Sequence, residues 1–300
     1  MTLILYGHLP ELMFALSDRR LTNPNTGAPV SSAATKVTLY PGMWLHYTGL
    51  SEIDGVPTDL WLANTLYGQH HLPTAFFHLR DKLTETFRRM PWSARIKRHA
   101  FIGVGWVPFD QAHTHYDPVV ITVSNFLSPS GTWLAEAANE FTLQATNLRE
   151  QLLPDTNPRF VYLQAAGQGM PEARRRQLYA QLVRILDRGV ISPHGVRLLA
   201  EEMRRRSSST GPVGGGQLVT VAPHPDLIEQ DWLVLTPGPA MITCPRTTRE
   251  YFDTAFSAVS HCLSYILIPE DLTAPEWPPA VNMVGMDPYV ASWTWSDFVF

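Results

Sequence analysis

Segments with helical periodicity arrive in pairs between blocks of strand-like segments, and this order constrains the fold of the 300-residue chain more than any other feature. Two short apolar stretches, Thr2 to Tyr6 and Leu12 to Leu16, with a turn at Gly7-His8-Leu9-Pro10, predict a hairpin at the start. A polar loop, Asn23 to Ala34, precedes a second strand pair, Lys36 to Leu39 and Trp44 to Thr48, separated by Pro41-Gly42. These four strands are expected to form one antiparallel sheet. A helix capped by Thr58 then runs to Leu66, and a second spans Thr74 to Arg89, where Phe76, Leu79, Leu83 and Phe87 recur every three or four residues.

The pattern returns to strands over His99 to Val107, Val119 to Phe126, Glu140 to Thr146 and Arg159 to Ala165, which predicts a second antiparallel sheet. Two helices follow, Glu172 to Leu186 and Pro193 to Arg206, then a Gly-rich connection, Thr210 to Gly216, and strands at Gln217 to Val221 and Trp232 to Leu235. A parallel α/β fold would alternate single helices with strands. Paired helices between strand blocks instead predict an α+β fold, a four-layer α-β-β-α sandwich of two antiparallel sheets with a helix pair outside each. The sandwich domain is expected over residues 1–237. Residues 238–300, rich in Pro and aromatics with one helix at Thr248 to Leu263, read as an acidic appendage.

A chain of this length buries roughly three quarters of its unfolded surface, so folding requires neither disulfide nor metal, and no cofactor is expected. Cys244 and Cys262 have no metal-ligand spacing and read as small buried hydrophobes. The N-terminus has no basic leader and no apolar run approaches roughly 18 residues, so a cytoplasmic protein without membrane contact is expected. Nine arginines face four acids between Glu172 and Arg206, whereas two basic residues face seven acids between Pro239 and Phe300. The basic stretch contains one aromatic residue, Tyr179, which argues against a single-stranded nucleic-acid surface. Of 23 basic residues only Lys36, Lys82 and Lys97 are lysine, so a retained lysine draws attention as a compact, titratable ammonium.

Several residues near the start have a meaningful order. Thr2 opens a strand, Asp18-Arg19-Arg20-Leu21-Thr22 ends the next, Lys36 opens the third and Gly49-Leu50 closes the fourth. Their types and separations resemble the start of a proteasome β-type subunit, a member of the N-terminal nucleophile hydrolase superfamily, and Gly167-Gln168-Gly169 is similar to that family's Gly-Ser-Gly. The resemblance covers Thr2 to about Leu235. It implies a bacterial proteasome-like peptidase or amidase, acting on a peptide or amide substrate, assembled into a homo-oligomeric ring and open to an unfoldase partner. The chain departs from the family in carrying Gln168 in place of Ser and in lacking an Asp-x-x-Ser-Gly run near the last helix, for which Ser207 to Gly216 is the available substitute.

The chemistry of this set is specific. Removal of Met1 would give Thr2 a free α-amine, a group whose ordinary pKa is roughly 8, able to take the proton from its own hydroxyl. The ammonium of Lys36 would tune that pair, Asp18 would orient Lys36, and the Gly49 N–H would face the developing oxyanion. Arg20, Gln168 and Ser207 are the supporting residues. Singly each has an ordinary structural explanation; together, in order, they point to amide hydrolysis through an acyl-enzyme on Thr2. A catalytically silent scaffold subunit is the alternative. A third reading is a metal-dependent hydrolase built on His113, His115 and Asp117, whose alternation puts all three on one face of a strand. Gln69-His70-His71 carries less weight as a metal site, and Gly214-Gly215-Gly216 lacks the Gly-Lys-Ser/Thr spacing of a phosphate loop.

Overall fold

The computed structural model describes residues 2–224 except 11, 23–27, 32–33, 35, 41–42, 70, 92, 94–96, 109–115, 153–158, 168–169, 190–191, 207–212 and 215–216, together with strands at 241–243, 265–268 and 282–283. Strands β1 (Leu3–Leu9), β2 (Leu12–Asp18), β3 (Leu21–Thr22), β4 (Pro29–Ser31), β5 (Val37–Tyr40), β6 (Met43–Thr48), β7 (Glu52–Ile53) and β8 (Val56–Pro57) precede helices α1 (Thr58–Leu66) and α2 (Leu72–Arg89). Strands β9 (Ala100–Pro108), β10 (Tyr116–Ser124), β11 (Thr142–Asn147) and β12 (Tyr162–Gly167) precede α3 (Glu172–Asp187) and α4 (Ser192–Arg206). Strands β13 (Gln217–Pro223), β14 (Met241–Thr243), β15 (Tyr265–Ile268) and β16 (Asn282–Met283) follow. The fold is α+β. The expected strand at Trp232 to Leu235, the helix at Thr248 to Leu263 and both cysteines lie outside the described residues.

Two six-stranded sheets carry the architecture, in the orders β12-β1-β2-β13-β15-β14 and β11-β10-β9-β6-β5-β16. All neighbours are antiparallel except β16, which runs parallel to β5. The first four predicted strands therefore do not share a sheet. The β1–β2 hairpin belongs to one and the β5–β6 hairpin to the other, and β12, expected beside β9 to β11, pairs with β1. Every residue of β1, β2 and β6 is buried, so these strands are covered on both faces. Such strands read as largely apolar, and the pattern does not say which neighbour each one joins.

Three apolar clusters account for that burial. Leu62, Leu66, Phe76, Leu79 and Leu83 of α1 and α2 pack with Tyr47, Phe101, Ile121 and Val123. Leu178, Leu182, Val196 and Leu199 of α3 and α4 pack with Leu5, Phe14 and Leu16. A third cluster joins the sheets, with Ile4, Tyr6, Met13 and Ala15 from one against Trp44, Ile102, Val104 and Trp106 from the other. Period-two alternation thus sends Leu3 and Leu5 toward the helices and Ile4 and Tyr6 toward the opposite sheet.

Two local expectations change. Gly7 and His8 lie inside β1 rather than in a turn; a Cβ at Gly7 would come within 1.9 Å of the Tyr162 carbonyl oxygen, so glycine is needed there for close backbone approach. Thr58 is the first residue of α1 rather than its cap, and its hydroxyl donates to the Leu50 carbonyl at 2.9 Å. Five arginines of α3 and α4 find acids in the same two helices: Arg174 and Arg206 pair with Glu202, Arg175 and Arg176 with Glu172, and Arg204 with Glu201. No helix among the described residues is long and apolar enough to cross a membrane.

Leu182 is fully buried between α3 and its sheet, whereas Leu60 on α1 is 40% exposed. Leu182→Ala is expected to cost about 2–5 kcal/mol in urea unfolding and Leu60→Ala well under 1 kcal/mol, because only the first leaves a cavity.

Candidate active site

Antiparallel pairing brings the start of β1 beside the end of β2, and packing of the two sheets brings the end of β6 to the same place. Ile4 sits opposite Ser17, which sets Thr2 and Leu3 beside Asp18. Asp18 is buried at the point where β2 ends, and three backbone N–H groups converge on its carboxylate. Leu3 N–H donates to Oδ1 at 3.1 Å, and Arg20 N–H and Gly214 N–H donate to Oδ2, each at 3.3 Å. Burial pushes the Asp18 carboxyl up, while the Lys36 ammonium and these donors pull it down.

Lys36, 1% exposed, immediately precedes β5. Its Nζ donates to Thr2 Oγ1 at 2.5 Å, to Asp18 Oδ1 at 3.5 Å and to the Arg20 carbonyl. Three acceptors match the three N–H bonds of an ammonium. Burial lowers the Lys36 pKa to about 8, opposed by the Asp18 carboxylate, so the group is a cation at neutral pH that yields its proton not far above it. The Thr2 hydroxyl oxygen thus receives a charge-assisted bond from Lys36, the interaction an alkoxide at that atom would strengthen.

The backbone of Thr2 is held from the opposite sheet. Thr48, fully buried on β6, accepts from Thr2 N–H at 3.2 Å and donates its own hydroxyl proton to the Thr2 carbonyl at 3.1 Å. Gly167 closes the other side at φ +82°, where a Cβ would meet Thr2 O at 1.9 Å and Thr48 Oγ1 at 2.8 Å. Gly49 follows Thr48 at φ +121°, and a Cβ there would strike His99 Nδ1 at 2.4 Å. His99 Nδ1 accepts from Leu50 N–H at 3.1 Å, so the neutral ring, its pKa pushed down to about 3 by burial, carries its proton on Nε2. The His99 backbone N–H in turn donates to Asn125 Oδ1 at 2.7 Å.

The sequence-predicted residues Thr2, Asp18 and Lys36 come together, with Gly49 one residue beyond the Thr48 contact. Arg20 contributes chiefly through its backbone, while its guanidinium lies beneath Val213 and Gly214; a Cβ at Gly214 would come within 2.4 Å of it. The glycine run predicts a flexible connection at Gly214, yet this residue is buried, donates to Asp18 and accepts from Arg19 N–H at 3.2 Å. Arg19, also buried, donates its N–H to the Gly214 carbonyl, accepts from Ala34 N–H and donates Nε–H to the Ala34 carbonyl, and so ties the approach to Lys36 to β2. Gln168, Ser207, His113 and His115 lie outside the described residues. Asp117 is buried against Asn147 and Arg149, whose donors stand 2.5 and 3.2 Å from its carboxylate oxygens. Among the described residues no three of His, Cys, Asp and Glu are grouped to hold a metal.

Thr48, His99 and Arg19 carry no sequence signal of these roles. A buried Thr in an apolar strand has no distinguishing spacing, and His99 is 50 residues from the glycine it supports.

No family model matches the chain, and no curated protein matches it. Solved structures give a distant likeness. Anbu from Hyphomicrobium sp. strain MC1 aligns at 13% identity with a TM-score of 0.36, and its Gly-1 mutant at 12% with 0.39. Anbu, an ancestral beta-subunit, from Yersinia bercovieri aligns at 12% identity with a TM-score of 0.35. Each alignment covers 74% of this chain and 81% of the other. At that level the likeness adds nothing to what the side-chain geometry supports.

Beneath the site a polar chain crosses between the sheets. Ser17 Oγ stands 3.0 Å from His46 Nδ1, His46 Nε2 2.7 Å from Thr220 Oγ1, and Thr220 donates to the Ala15 carbonyl at 3.3 Å. That last donation leaves Thr220 to accept from Nε2–H and His46 Nδ1 to accept from Ser17, a set only the neutral ring completes. Burial lowers the pKa of His46 to about 3 and of His8 to about 4. With His99, three histidines are neutral when folded and titrate near pH 6.5 when unfolded, so the unfolded chain binds protons first as pH falls. Stability is expected to decline below pH 6.5 by up to about 1.4 kcal/mol per pH unit per histidine until pH 3 to 4. Asp18, shifted the opposite way, offsets part of this. Urea unfolding at pH 7.5, 6 and 5 checks it, and an unchanged midpoint contradicts it. Gly167→Ala is expected to lower the melting temperature by several degrees, since both its φ and its contact with Thr2 forbid a Cβ.

Proposed function

We propose that this chain is a threonine-type amide hydrolase of the N-terminal nucleophile superfamily, a proteasome-β-like peptidase or amidase. The carrying observation is the buried array in which Lys36 Nζ bonds Thr2 Oγ1, Asp18 and the Arg20 carbonyl together. On this reading the three apolar clusters are those of a four-layer α-β-β-α sandwich over residues 1–237, and residues 238–300 form an appendage that adds β14 and β15 to the edge of one sheet and β16 to the edge of the other. Assembly into a homo-oligomeric ring belongs to the same proposal, with Leu60 and Tyr67, exposed at α1, available as contact residues.

Once Met1 is removed, Thr2 Oγ1 attacks the substrate carbonyl carbon while its proton passes to the Thr2 amine. Lys36 stabilises the developing alkoxide, and the Gly49 N–H donates to the oxyanion. The amine then gives the proton to the leaving nitrogen as the C–N bond breaks, leaving an ester on Oγ1. Water, deprotonated by the same amine, hydrolyses that ester and restores the hydroxyl.

Intact-protein mass spectrometry before and after incubation with a β-lactone or epoxyketone tests this reading. The expected result is a chain lacking Met1 that gains one adduct mapped to Thr2. Thr2→Ala should gain none, and Lys36→Ala should label at least a hundredfold more slowly. Retained Met1 and no adduct would replace the hydrolase with the catalytically silent scaffold.

A further inference from the structure

Resting on the reading of Thr2 as an N-terminal nucleophile, we propose that Thr48 is the residue that positions the α-amine and supports it as the base. The chain has Gln168 where the resemblance calls for Ser, and only Ser207 to Gly216 as a substitute for the Asp-x-x-Ser-Gly run, which leaves room for a further partner of the amine. Thr48 supplies one. Its Oγ1 accepts from the Thr2 N–H at 3.2 Å, a peptide N–H while Met1 is attached and the α-amine once Met1 is removed, and spends its own proton on the Thr2 carbonyl at 3.1 Å.

That division of roles has a chemical consequence. With its proton committed to the carbonyl, Thr48 Oγ1 presents only lone pairs to the nitrogen. By keeping this bond after Met1 leaves, the amine aims one N–H at Thr48, which restricts rotation about the N–Cα bond and leaves a second N–H and the lone pair, the lone pair being free to face Thr2 Oγ1. The acceptor also stabilises the ammonium formed when the amine takes the hydroxyl proton. Lys36, bonded to Thr2 Oγ1, acts in the opposite sense by repelling a second cation. Thr48 therefore keeps the amine basic enough beside a buried ammonium.

The site is built to hold this contact. Thr48 is fully buried on a central strand, and Gly167 lies so close that a Cβ would come 2.8 Å from its hydroxyl oxygen. The hydroxyl is held from both sides. The charged groups facing Thr2 are Lys36 and Asp18, with the Arg20 guanidinium beyond them; His46 and His99, on or against the same strand, are neutral.

The test is the rate of β-lactone adduct formation on Thr2 from pH 5.5 to 9 in wild type, Thr48→Val, Thr48→Ala and Thr48→Ser, with Met1 removal checked by mass and folding by melting temperature. Thr48→Val and Thr48→Ala are expected to label at least tenfold more slowly at pH 7. Their acid limb should move to lower pH by half a unit or more, because an amine without its acceptor holds a proton less tightly. Thr48→Ser should restore the limb and come within threefold of the wild-type rate. Should one hydroxyl-lacking variant fail to fold, the other carries the comparison. Wild-type rates and limb in a folded Val or Ala variant would overturn the role, as would a Ser variant as slow as they are. A wild-type chain free of Met1 that takes no label would instead overturn the reading of Thr2, and the inference with it.

Discussion

The burial of the Lys36 ammonium is the constraint on which the rest of the site depends. A cation taken out of water carries a desolvation cost of several kcal/mol unless its protons find acceptors and its charge a counter-ion. Here the acceptors are a hydroxyl, a carboxylate and a carbonyl from three neighbouring points of the chain. Asp18 can be that counter-ion only because Leu3, Arg20 and Gly214 fix its orientation through backbone N–H groups. Removing one member leaves another buried and uncompensated, so the array behaves as a unit.

The sheets exist, in functional terms, to bring those points together. β1 and β2 give Thr2 and Asp18 from one sheet, and β6 gives Thr48 from the other. The inter-sheet cluster and the Ser17–His46–Thr220 chain set the register between them. Glycines stand where side chains would intrude, Gly167 against Thr2 and Gly214 against Arg20. A shift between the sheets would separate Thr48 from Thr2, whose two hydrogen bonds cross from one sheet to the other.

Element order and helix positions are legible in the sequence because amphipathic spacing reports them directly: Phe76, Leu79 and Leu83 face a sheet as their period requires. Sheet membership is not. A strand buried on both faces, such as Leu3–Leu9, shows no alternation and gives no sign of its neighbour, which is why Tyr162–Gly167 lies in the other sheet from the one its place in the chain predicts. Thr2, Asp18 and Lys36 are ordinary singly and stand out because their order and spacing together resemble a family. Thr48, Arg19 and Gly214 act through main-chain atoms or sit at the end of an ordinary strand or loop, and only the three-dimensional pairing reveals them.

Lys36 is a buried ammonium bonded to Thr2, and with three lysines in the chain it can be observed directly. The measurement is an NMR titration of protein carrying isotope-labelled lysine, with Lys36→Arg to assign the signal. One lysine resonance titrating near pH 8, absent from Lys36→Arg and displaced in Thr2→Ala, is the result this account requires. No lysine resonance titrating below about pH 10, or one that ignores the loss of the Thr2 hydroxyl, would contradict it.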